Sequence, residues 1–385
     1  MKTGWPTVSV GESCAISSGG TPSRSNAAFW NGSVPWVSAK DLKSDEIQDA
    51  ELHISEKALR ESATKIAPEG SLLILVRGMG LANGVPIGEV VAPVAFNQDI
   101  RAIKPPKEVV PRFLLLALRH TLGNGGRESI ISSAAHGTLK IDADMLAGIR
   151  FPVPSLAEQQ RIIGILDKAF EAIATAKASA EKNLQNARAV FESYRESMFS
   201  HGKRNWTEKT LDHLAENLDS KRVPITKADR KSGEYPYYGA SGVVDYVDDY
   251  IFDDDVLLVS EDGANLLARS TPIAFSVTGK CWVNNHAHVL KFDELGTQHF
   301  VEAYLESIVL DEYIRGAAQP KLTQGALNSI PIPMPKDIEE RRRVVDELKS
   351  VSQETGKLDA IYEQKITALN NLKKSLLHQA FSGQL

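Results

Sequence analysis

The fold is decided by a stretch of sequence that occurs twice, as FPVPSLAEQQRIIGILDK at residues 151–168 and as IPMPKDIEERRRVVDELK at residues 332–349. Both copies also end alike, with MFS at residues 198–200 and AFS at residues 380–382. From the shared glutamate onward, a constant offset of 182 residues relates the copies without a gap. Such a repeat indicates a duplicated structural unit. Two copies are too few for a solenoid, so we expect a pseudo-symmetric molecule of two parts.

Each copy predicts a short strand followed by a long helix. Prolines at the start exclude helix there, whereas Ser155 with Glu158, and Asp337 with Glu340, have the spacing of an N-cap and its capping box. Apolar residues then recur at steps of three and four, the a/d spacing of a coiled coil. No proline interrupts residues 155–223, which allows a helix of about 40 residues. The residues predicted to pack the helices or bind partners are Leu166, Phe170, Ile173, Leu184, Phe191, Tyr194, Leu348, Tyr362, Ile366, Leu369 and Leu376.

The repeat divides the chain into four segments. We predict a variable domain at 1–154, a helix at 155–204, a second variable domain at 205–335 and a second helix at 336–385. Both variable domains are rich in short β-type runs with Gly and Pro turns. The predicted fold class is α+β, with two α/β domains separated by two long antiparallel coiled-coil helices in a pseudo-twofold arrangement. Lys177 would then approach Asp359 across the helices; two solvated breaks in the apolar pattern are the alternative.

Composition indicates a globular protein of the reducing cytosol. A chain of 385 residues has room for two or three domains. It has no apolar run near the ~20 residues of a membrane span, and no apolar segment follows the N-terminal MKTGWP, so we expect neither a membrane anchor nor a secretory signal. The two cysteines, Cys14 and Cys281, form no disulfide framework. The predicted location is therefore the cytoplasm.

Charge is distributed unevenly between the two variable domains. Residues 1–154 carry 16 Lys and Arg against 15 Asp and Glu, whereas residues 205–335 carry 11 against 20. Six aspartates lie within residues 245–255; they suggest a solvated acidic face or, less simply, a Ca²⁺ site without the ordered spacing of an EF-hand loop. A protein that grips DNA alone usually has a basic face. If this chain binds DNA, we expect other subunits to supply much of the phosphate contact.

The sequence contains only incomplete versions of the motifs for catalysis or cofactor binding. None of the Gly-Lys dipeptides has the upstream glycine of a phosphate loop, and the glycines at residues 78–84 are followed by Val-Pro-Ile rather than by a helix N-terminus. Cys281, His286 and His288 could ligate a metal but have no fourth ligand at zinc spacing, so a structural or hydrogen-bonding role is the alternative. The tyrosines at residues 235–246 could stack on bases or build a sheet core.

Several short motifs become specific when they occur together and in this order. They are GGTPS at residues 19–23, FNQD at residues 96–99, GEYPYYG at residues 233–239 and NHAH at residues 285–288. Combined with the two repeat copies, this pattern resembles the DNA-specificity subunit of type I restriction–modification systems over essentially the whole chain.

The resemblance implies a non-catalytic subunit. Two target-recognition domains would each read one half of a split, asymmetric site in double-stranded DNA, and the long helices would space the half-sites and dock two methyltransferase subunits. Those partners would bind S-adenosylmethionine and methylate the N6 of a flipped adenine, and restriction/translocase subunits would complete the nuclease. We expect no cofactor in this chain, and S-adenosylmethionine, Mg and ATP on the partners. The absence of any Asn-Pro dipeptide agrees, since the family's adenine methyltransferases carry an Asn-Pro-Pro-aromatic motif.

Basic residues on expected loops are the candidates for DNA contact, because Arg and Lys favour guanine in the major groove. Solubility charges are the alternative for each. A coiled-coil scaffold without DNA recognition and a self-sufficient methyltransferase are the alternative functions. The DNA-binding candidates are Arg24, Lys40, Arg77 and Lys140 in the first domain, and Lys221, Arg222, Arg230, Lys231 and Lys321 in the second.

Overall fold

The chain separates into two compact units. The computed structural model describes residues 4–123, 127–133, 137–201, 206–316 and 318–385. Unit one comprises Met1–Ser179 with Lys365–Leu385, and unit two comprises Ala180–Gln364. Both units include parts of the first long helix (Leu156–His201) and of the second long helix (Ile338–Ser382).

Unit one is built from small sheets. Its five-stranded sheet has the order β2-β10-β7-β8-β4 and is antiparallel except where β4 meets β8, and its four-stranded sheet has the order β5-β3-β9-β6. Two further pairs are β1-β13 and β11-β12. The strands are β1 (Thr7–Ser9), β2 (Ala15–Ser18), β3 (Val34–Val37), β4 (Glu46–Ile47), β5 (Leu52–Ile54), β6 (Lys65–Ala67), β7 (Leu72–Leu75), β8 (Ile87–Val90), β9 (Val94–Phe96), β10 (Ile100–Lys104), β11 (Ile131–Ser133), β12 (Leu139–Ile141) and β13 (Arg150–Pro152). The helices are α1 (Val10–Ser13), α2 (Glu56–Glu61), α3 (Pro111–Thr121), α4 (Arg127–Ile130) and α5 (Ala143–Gly148).

Strand β7 and helix α3 both contribute to the core of unit one. All four residues of β7 are fully buried, as expected for a central strand that is covered on both faces. Helix α3 starts with Pro111 at a position where the missing N–H costs nothing. Phe381 from the second long helix lies in this core with ring centroids 5.4 Å from Phe113. The last turns of the chain are therefore part of the unit-one core.

Unit two repeats this plan with different sheets. Two four-stranded sheets have the orders β15-β22-β19-β20 and β17-β16-β21-β18, and two pairs are β14-β25 and β23-β24. The strands are β14 (Thr207–Thr210), β15 (Glu216–Asn217), β16 (Ser232–Gly239), β17 (Gly242–Val247), β18 (Phe252–Asp253), β19 (Val256–Ser260), β20 (Ala274–Val277), β21 (Lys280–Val283), β22 (Ala287–Lys291), β23 (Ile314–Arg315), β24 (Lys321–Leu322) and β25 (Pro331–Met334). The helices are α6 (Asn265–Ala268), α7 (Leu295–Ser307) and α8 (Gln324–Asn328). Central strand β19 is fully buried, as β7 is in unit one.

The predicted α+β class is confirmed, and the long helices begin where the caps were expected. Ser155 Oγ accepts a hydrogen bond from Glu158 N at 3.4 Å. In the second copy Asp337 Oδ1 accepts from Glu339 N at 3.0 Å, one residue earlier than predicted. The Glu340 carboxylate accepts from Trp206 Nε1 at 2.9 Å, so it ties the helix start to its own unit.

The long helices run antiparallel within each unit. In unit one Arg161 Nη2 donates to Leu385 O, and Lys373 Nζ lies 4.8 Å from the Phe170 ring centroid. In unit two Arg188 Nε donates to Asp359 Oδ2 at 2.7 Å, and the Tyr194 hydroxyl donates to the Glu347 carboxylate farther along. Of the predicted packing residues, Leu166, Ile173 and Leu348 are buried, and half-buried positions are taken by Phe170, Leu184, Phe191, Tyr194, Tyr362, Ile366, Leu369 and Leu376. The predicted Lys177–Asp359 pair would join the two units and stays a prediction.

One side chain in the first turn of each long helix shows how the duplicated sequence keeps a common role. Gln159 is fully buried; its amide donates to Pro154 O and Glu108 O and accepts from Val110 N. Arg341, the residue 182 positions later, donates to Pro335 O at 2.9 Å and to Thr297 Oγ1 at 2.8 Å. Both side chains thus bind the carbonyl of the last proline before the helix, although one is an amide and the other a guanidinium.

Candidate nucleic-acid interface

A tight turn follows the central strand of unit one and is joined to β12. Ile141 N donates to Val76 O at 2.8 Å, and Gly78 N donates to Leu139 O at 2.9 Å. Between these bonds Arg77 and Lys140 form an isolated antiparallel bridge. Gly78 has φ of 133°, a conformation that residues with a Cβ rarely adopt. We call residues 76–78 and 139–141 the first bridged turn.

Unit two contains the same turn after its own central strand. Leu322 N donates to Glu261 O at 2.8 Å, and Gly263 N donates to Pro320 O at 3.0 Å. The bridge here joins Asp262 to Lys321, and Gly263 again has positive φ, at 105°. Residues 261–263 and 320–322 form the second bridged turn. Two predicted DNA contacts, Arg77 and Lys140, therefore meet in the first turn, and a third, Lys321, lies at the same place in the second.

The side chains of the first bridged turn are basic and accessible. Arg77 is exposed, and no hydrogen bond or ion pair engages its side chain among the residues that the structure describes. Lys140 is half-buried, and its Nζ lies 2.7 Å from Asp142 Oδ1. The hydrogen bond from Lys140 lowers the pKa of Asp142 below its ordinary value. The turn thus presents a guanidinium that has no partner among the described residues, beside an ammonium that is already paired.

Arg24 lies elsewhere in unit one, stacked on aromatic rings. Its guanidinium carbon is 4.1 Å from the Trp30 ring centroid and 5.4 Å from that of Trp36. Both indoles are fixed by their N–H groups, which donate to Ser23 O and Gly20 O. Stacking holds the face of an exposed guanidinium and leaves its N–H edge accessible. Lys40 is exposed in the turn after β3, so both remain predicted contacts.

The second bridged turn shares residues with a buried cluster of charged side chains. Glu261 is 9% exposed; its Oε2 accepts from Arg222 Nη1 at 2.6 Å, and its Oε1 lies 3.0 Å from Lys321 Nζ. Arg222 also donates to Ala287 O at 2.7 Å. The structure therefore joins the predicted contacts Arg222 and Lys321 through one carboxylate. Arg222 has its donors engaged by protein groups, which fits a supporting role better than a base contact, whereas the neighbouring Lys221 is exposed.

His288 connects this cluster to the turn. Its side chain is 1% exposed, with Nδ1 2.6 Å from Asp219 Oδ2 and Nε2 2.8 Å from Leu322 O. Both ring nitrogens therefore lie beside acceptor oxygens, one of a carboxylate and one of a backbone carbonyl. Burial raises the pKa of Asp219, but the hydrogen bond and charge of His288, with the charge of Arg222, outweigh it and lower the pKa overall.

Metal binding is the competing use of these groups. Ligand atoms of Asp219, Glu261 and His288 lie within 4.8 Å of one another. However, Arg222 and Lys321 already bring positive charge to the same carboxylates, and both ring nitrogens of His288 are engaged. The arrangement therefore favours internal ion pairing. Cys281, the third residue of the metal hypothesis, is buried in an apolar cluster, where burial raises the pKa of its thiol to about 12.

Arg230 and Lys231 lie at the acidic segment of unit two. Arg230 Nη1 donates to Asp245 Oδ2 at 3.2 Å, and its guanidinium lies 4.4 Å from the ring centroid of the buried Tyr237. Lys231 is exposed. Lys291 Nζ similarly donates to Asp254 at 2.6 Å. Part of the aspartate cluster is thus used in ion pairs, and Tyr237 belongs to the core rather than to an exposed stacking surface.

Sequence reasoning missed the bridged turns, because each joins segments that lie about sixty residues apart. Asp262 and His286 were not among the predicted DNA contacts, although Asp262 occupies the position of Arg77 and both its carboxylate oxygens lie 2.9 Å from His286 Nδ1. One local signal was available. Both LLILVRG at residues 72–78 and VLLVSEDG at residues 256–263 place a charged residue followed by a glycine within four residues of the end of an apolar run.

Comparison with known proteins agrees with this duplicated architecture. A family model described as the type I restriction modification DNA specificity domain matches residues 2–183 and again residues 203–368. The chain therefore belongs to the type I restriction modification DNA specificity domain family. This membership does not favour a scaffold without DNA recognition. Among the described helices, none combines the length and apolar character that a membrane span requires.

Three specificity subunits illustrate the relationship. The Escherichia coli type I restriction enzyme EcoR124I/EcoR124II specificity subunit is 32% identical over 185 residues, which cover 47% of this chain and 45% of that protein. A putative Haemophilus influenzae counterpart, S.HindORF215P, is 37% identical over 33% of this chain and 32% of its own length. The Methanocaldococcus jannaschii MjaIX subunit is 22% identical over 99% of this chain and 93% of its own. The aligned stretch thus spans less than half the length of the first two.

Solved structures share the fold of the whole chain. A chain from a structure on complex assembly and conformational transition of the type I R-M system aligns with a TM-score of 0.80 and 17% identity, covering 100% of this chain and 99% of that one. The HsdS subunit of Thermoanaerobacter tengcongensis aligns with a TM-score of 0.59 and 16% identity, over 100% and 98%. At these identities the likeness shows the fold alone.

Proposed function

We propose that this chain is the DNA-specificity subunit of a type I restriction–modification system, in which each unit reads one half of a split, asymmetric site. The observation that carries the proposal is the pair of bridged turns. The backbone geometry is the same in both units, whereas the bridge side chains are Arg77 with Lys140 in one and Asp262 with Lys321 in the other. Two turns that share a backbone geometry but carry different side chains would allow the two units to recognise different half-site sequences.

The proposed partners are two methyltransferase subunits, restriction/translocase subunits and double-stranded DNA. S-adenosylmethionine, Mg and ATP would be bound by those partners. The charge balance supports this division of labour, because the second variable domain has 11 basic against 20 acidic residues. Such a surface binds the phosphate backbone weakly by itself. Base contacts by this chain, with phosphate contacts supplied by its partners, would give a complex that is both tight and specific.

The long helices are the proposed spacer and docking element. Each contributes residues to both units, and a helix of fixed residue number can set the gap between half-sites. A gap that followed helix length would appear as a fixed number of unspecified base pairs within the recognised site.

Selection from random duplex DNA tests the proposal. The chain, purified together with its methyltransferase subunits, is incubated with the library, and bound DNA is sequenced over several rounds. We expect one bipartite motif with unlike halves and a fixed gap. The chain alone should enrich it weakly at about 0.2 M salt, because it lacks the partners' phosphate contacts. Recovery of a contiguous or palindromic motif, or of none, would contradict the proposal.

A further inference from the structure

The two bridged turns differ most in the residue that directly precedes the positive-φ glycine. That residue is Arg77 in unit one and Asp262 in unit two, and each is bridged to a lysine. Both follow a buried central strand, with Val76 and Glu261 5% and 9% exposed. The backbone at this position is thus fixed by a strand on one side and by two cross-chain hydrogen bonds on the other. A residue that recognises a nucleobase needs a backbone that is held rigidly in this way.

Arg77 has the chemistry of a guanine reader. Its side chain is exposed, and nothing in the described parts of the chain hydrogen-bonds to it. A guanidinium offers two parallel N–H donors, and these match the O6 and N7 acceptors that guanine presents in the major groove. Lys140, beside it, is held by Asp142 at 2.7 Å. This contact holds a second positive charge next to Arg77, whose donors have no partner within the described segments.

Asp262 has the opposite chemistry at the same place. Its carboxylate only accepts hydrogen bonds, so it cannot pair with guanine O6 and N7. Both of its oxygens lie 2.9 Å from His286 Nδ1, and its side chain is 15% exposed. A half-buried acceptor coupled to an exposed imidazole suits a base that presents a donor, such as the cytosine amino group.

We propose that Arg77 reads a guanine in the half-site of unit one, and that Asp262, with His286, determines a different base at the corresponding place in the other half-site. This inference rests on the proposed function, since it requires that each unit reads its own half-site. It attributes the difference between the two half-sites to the residue at one equivalent position of the two bridged turns, Arg77 or Asp262.

Substitution of Arg77 in the complex with the methyltransferase subunits tests the inference. Arg77→Gln should weaken binding to the selected motif by about 5- to 150-fold, the loss of one bidentate base contact. Repeated selection with this variant should lose a guanine at one position of one half and leave the other half unchanged. Arg77→Lys should retain part of the guanine preference. Arg60→Gln, an exposed arginine on α2 away from the turn, is the matched control and should change neither affinity nor motif.

Asp262→Asn assigns the second half-site. We expect it to change one position in the half that Arg77→Gln leaves intact. If both variants altered the same half, or if Arg77→Gln changed the motif no more than Arg60→Gln, the inference would be wrong. A uniform loss of affinity for all DNA, with a salt slope lower by about 1, would identify Arg77 as a phosphate contact and also overturn it. A wild-type complex that selects no bipartite motif would refute the proposed function itself.

Discussion

The repeat predicts that two phenylalanines, 182 residues apart, have equivalent structural roles. Phe381 is fully buried in unit one, where its ring packs against Phe113 at 5.4 Å and stacks on His120 at 5.3 Å. Phe199 is 4% exposed in unit two, with Phe300 at 5.5 Å and Tyr304 at 5.3 Å. Each phenylalanine therefore packs the end of a long helix against a shorter helix, α3 in unit one and α7 in unit two.

Truncation of either ring should destabilise its own unit. A buried Phe→Ala substitution costs about 3–5 kcal/mol, from lost apolar burial and the cavity that remains. At about 1.4 kcal/mol per factor of ten, this corresponds to local opening roughly 100- to 4,000-fold more frequent. Phe381→Ala should thus raise amide exchange in α3, and Phe199→Ala should raise it in α7.

Hydrogen exchange read by mass spectrometry distinguishes the two effects peptide by peptide. Leu372→Ala is the matched control, because Leu372 lies on the same long helix as Phe381 but is 47% exposed; its loss should leave exchange in α3 nearly unchanged. The reasoning fails if Phe381→Ala leaves α3 as protected as Leu372→Ala does, or if Phe199→Ala loosens α3 instead of α7.

Three further predictions concern polar contacts. Gln159→Leu removes the amide that binds Val110 N and two carbonyls. It should lower the free energy of unfolding in a denaturant titration by at least about 2 kcal/mol, and an unchanged free energy would contradict this expectation. Unit two should lose stability as the pH falls below about 4, because the lowered pKa of Asp219 means that its contribution is present above the unfolded-state pKa and is lost as the folded form is protonated. Melting curves from pH 5 to pH 3 should show a smaller change for Asp219→Asn, and an equal change would argue against this cause. Arg188→Ala removes the ion pair from the exposed Arg188 side chain to Asp359, and we expect no measurable change in melting temperature. A large drop would show that the pair is structurally important.

Local sequence determined the helical part of the fold. Three-and-four spacing of apolar residues, together with caps at Ser155 and Asp337, predicts both long helices, since periodicity and capping act within a few residues. Side-chain substitution within the repeat was not predictable, because Gln159 and Arg341 bind equivalent carbonyls with unlike chemistry. That equivalence depends on three-dimensional contacts that either side chain can satisfy.

The candidate site was only partly predictable, because charge and turn propensity do not report partners. Arg77 and Arg222 look alike as surface arginines in the sequence, yet one is without a partner among the described residues and the other is bound to Glu261 and Ala287 O. The bridge between Arg77 and Lys140 joins a segment that precedes α3 in the sequence to one that follows it. Non-local pairing of this kind leaves no periodic signal, and it decides which basic residues lie together.

Methylome sequencing of a host with and without this chain tests the central claim most directly. The methyltransferase and restriction subunits are kept constant, so that only the specificity chain differs. We predict that N6-methyladenine disappears from one asymmetric bipartite motif when the chain is absent and returns when it is restored. An unchanged methylome, or the loss of a contiguous or palindromic motif, would contradict the account that two unlike units read two half-sites.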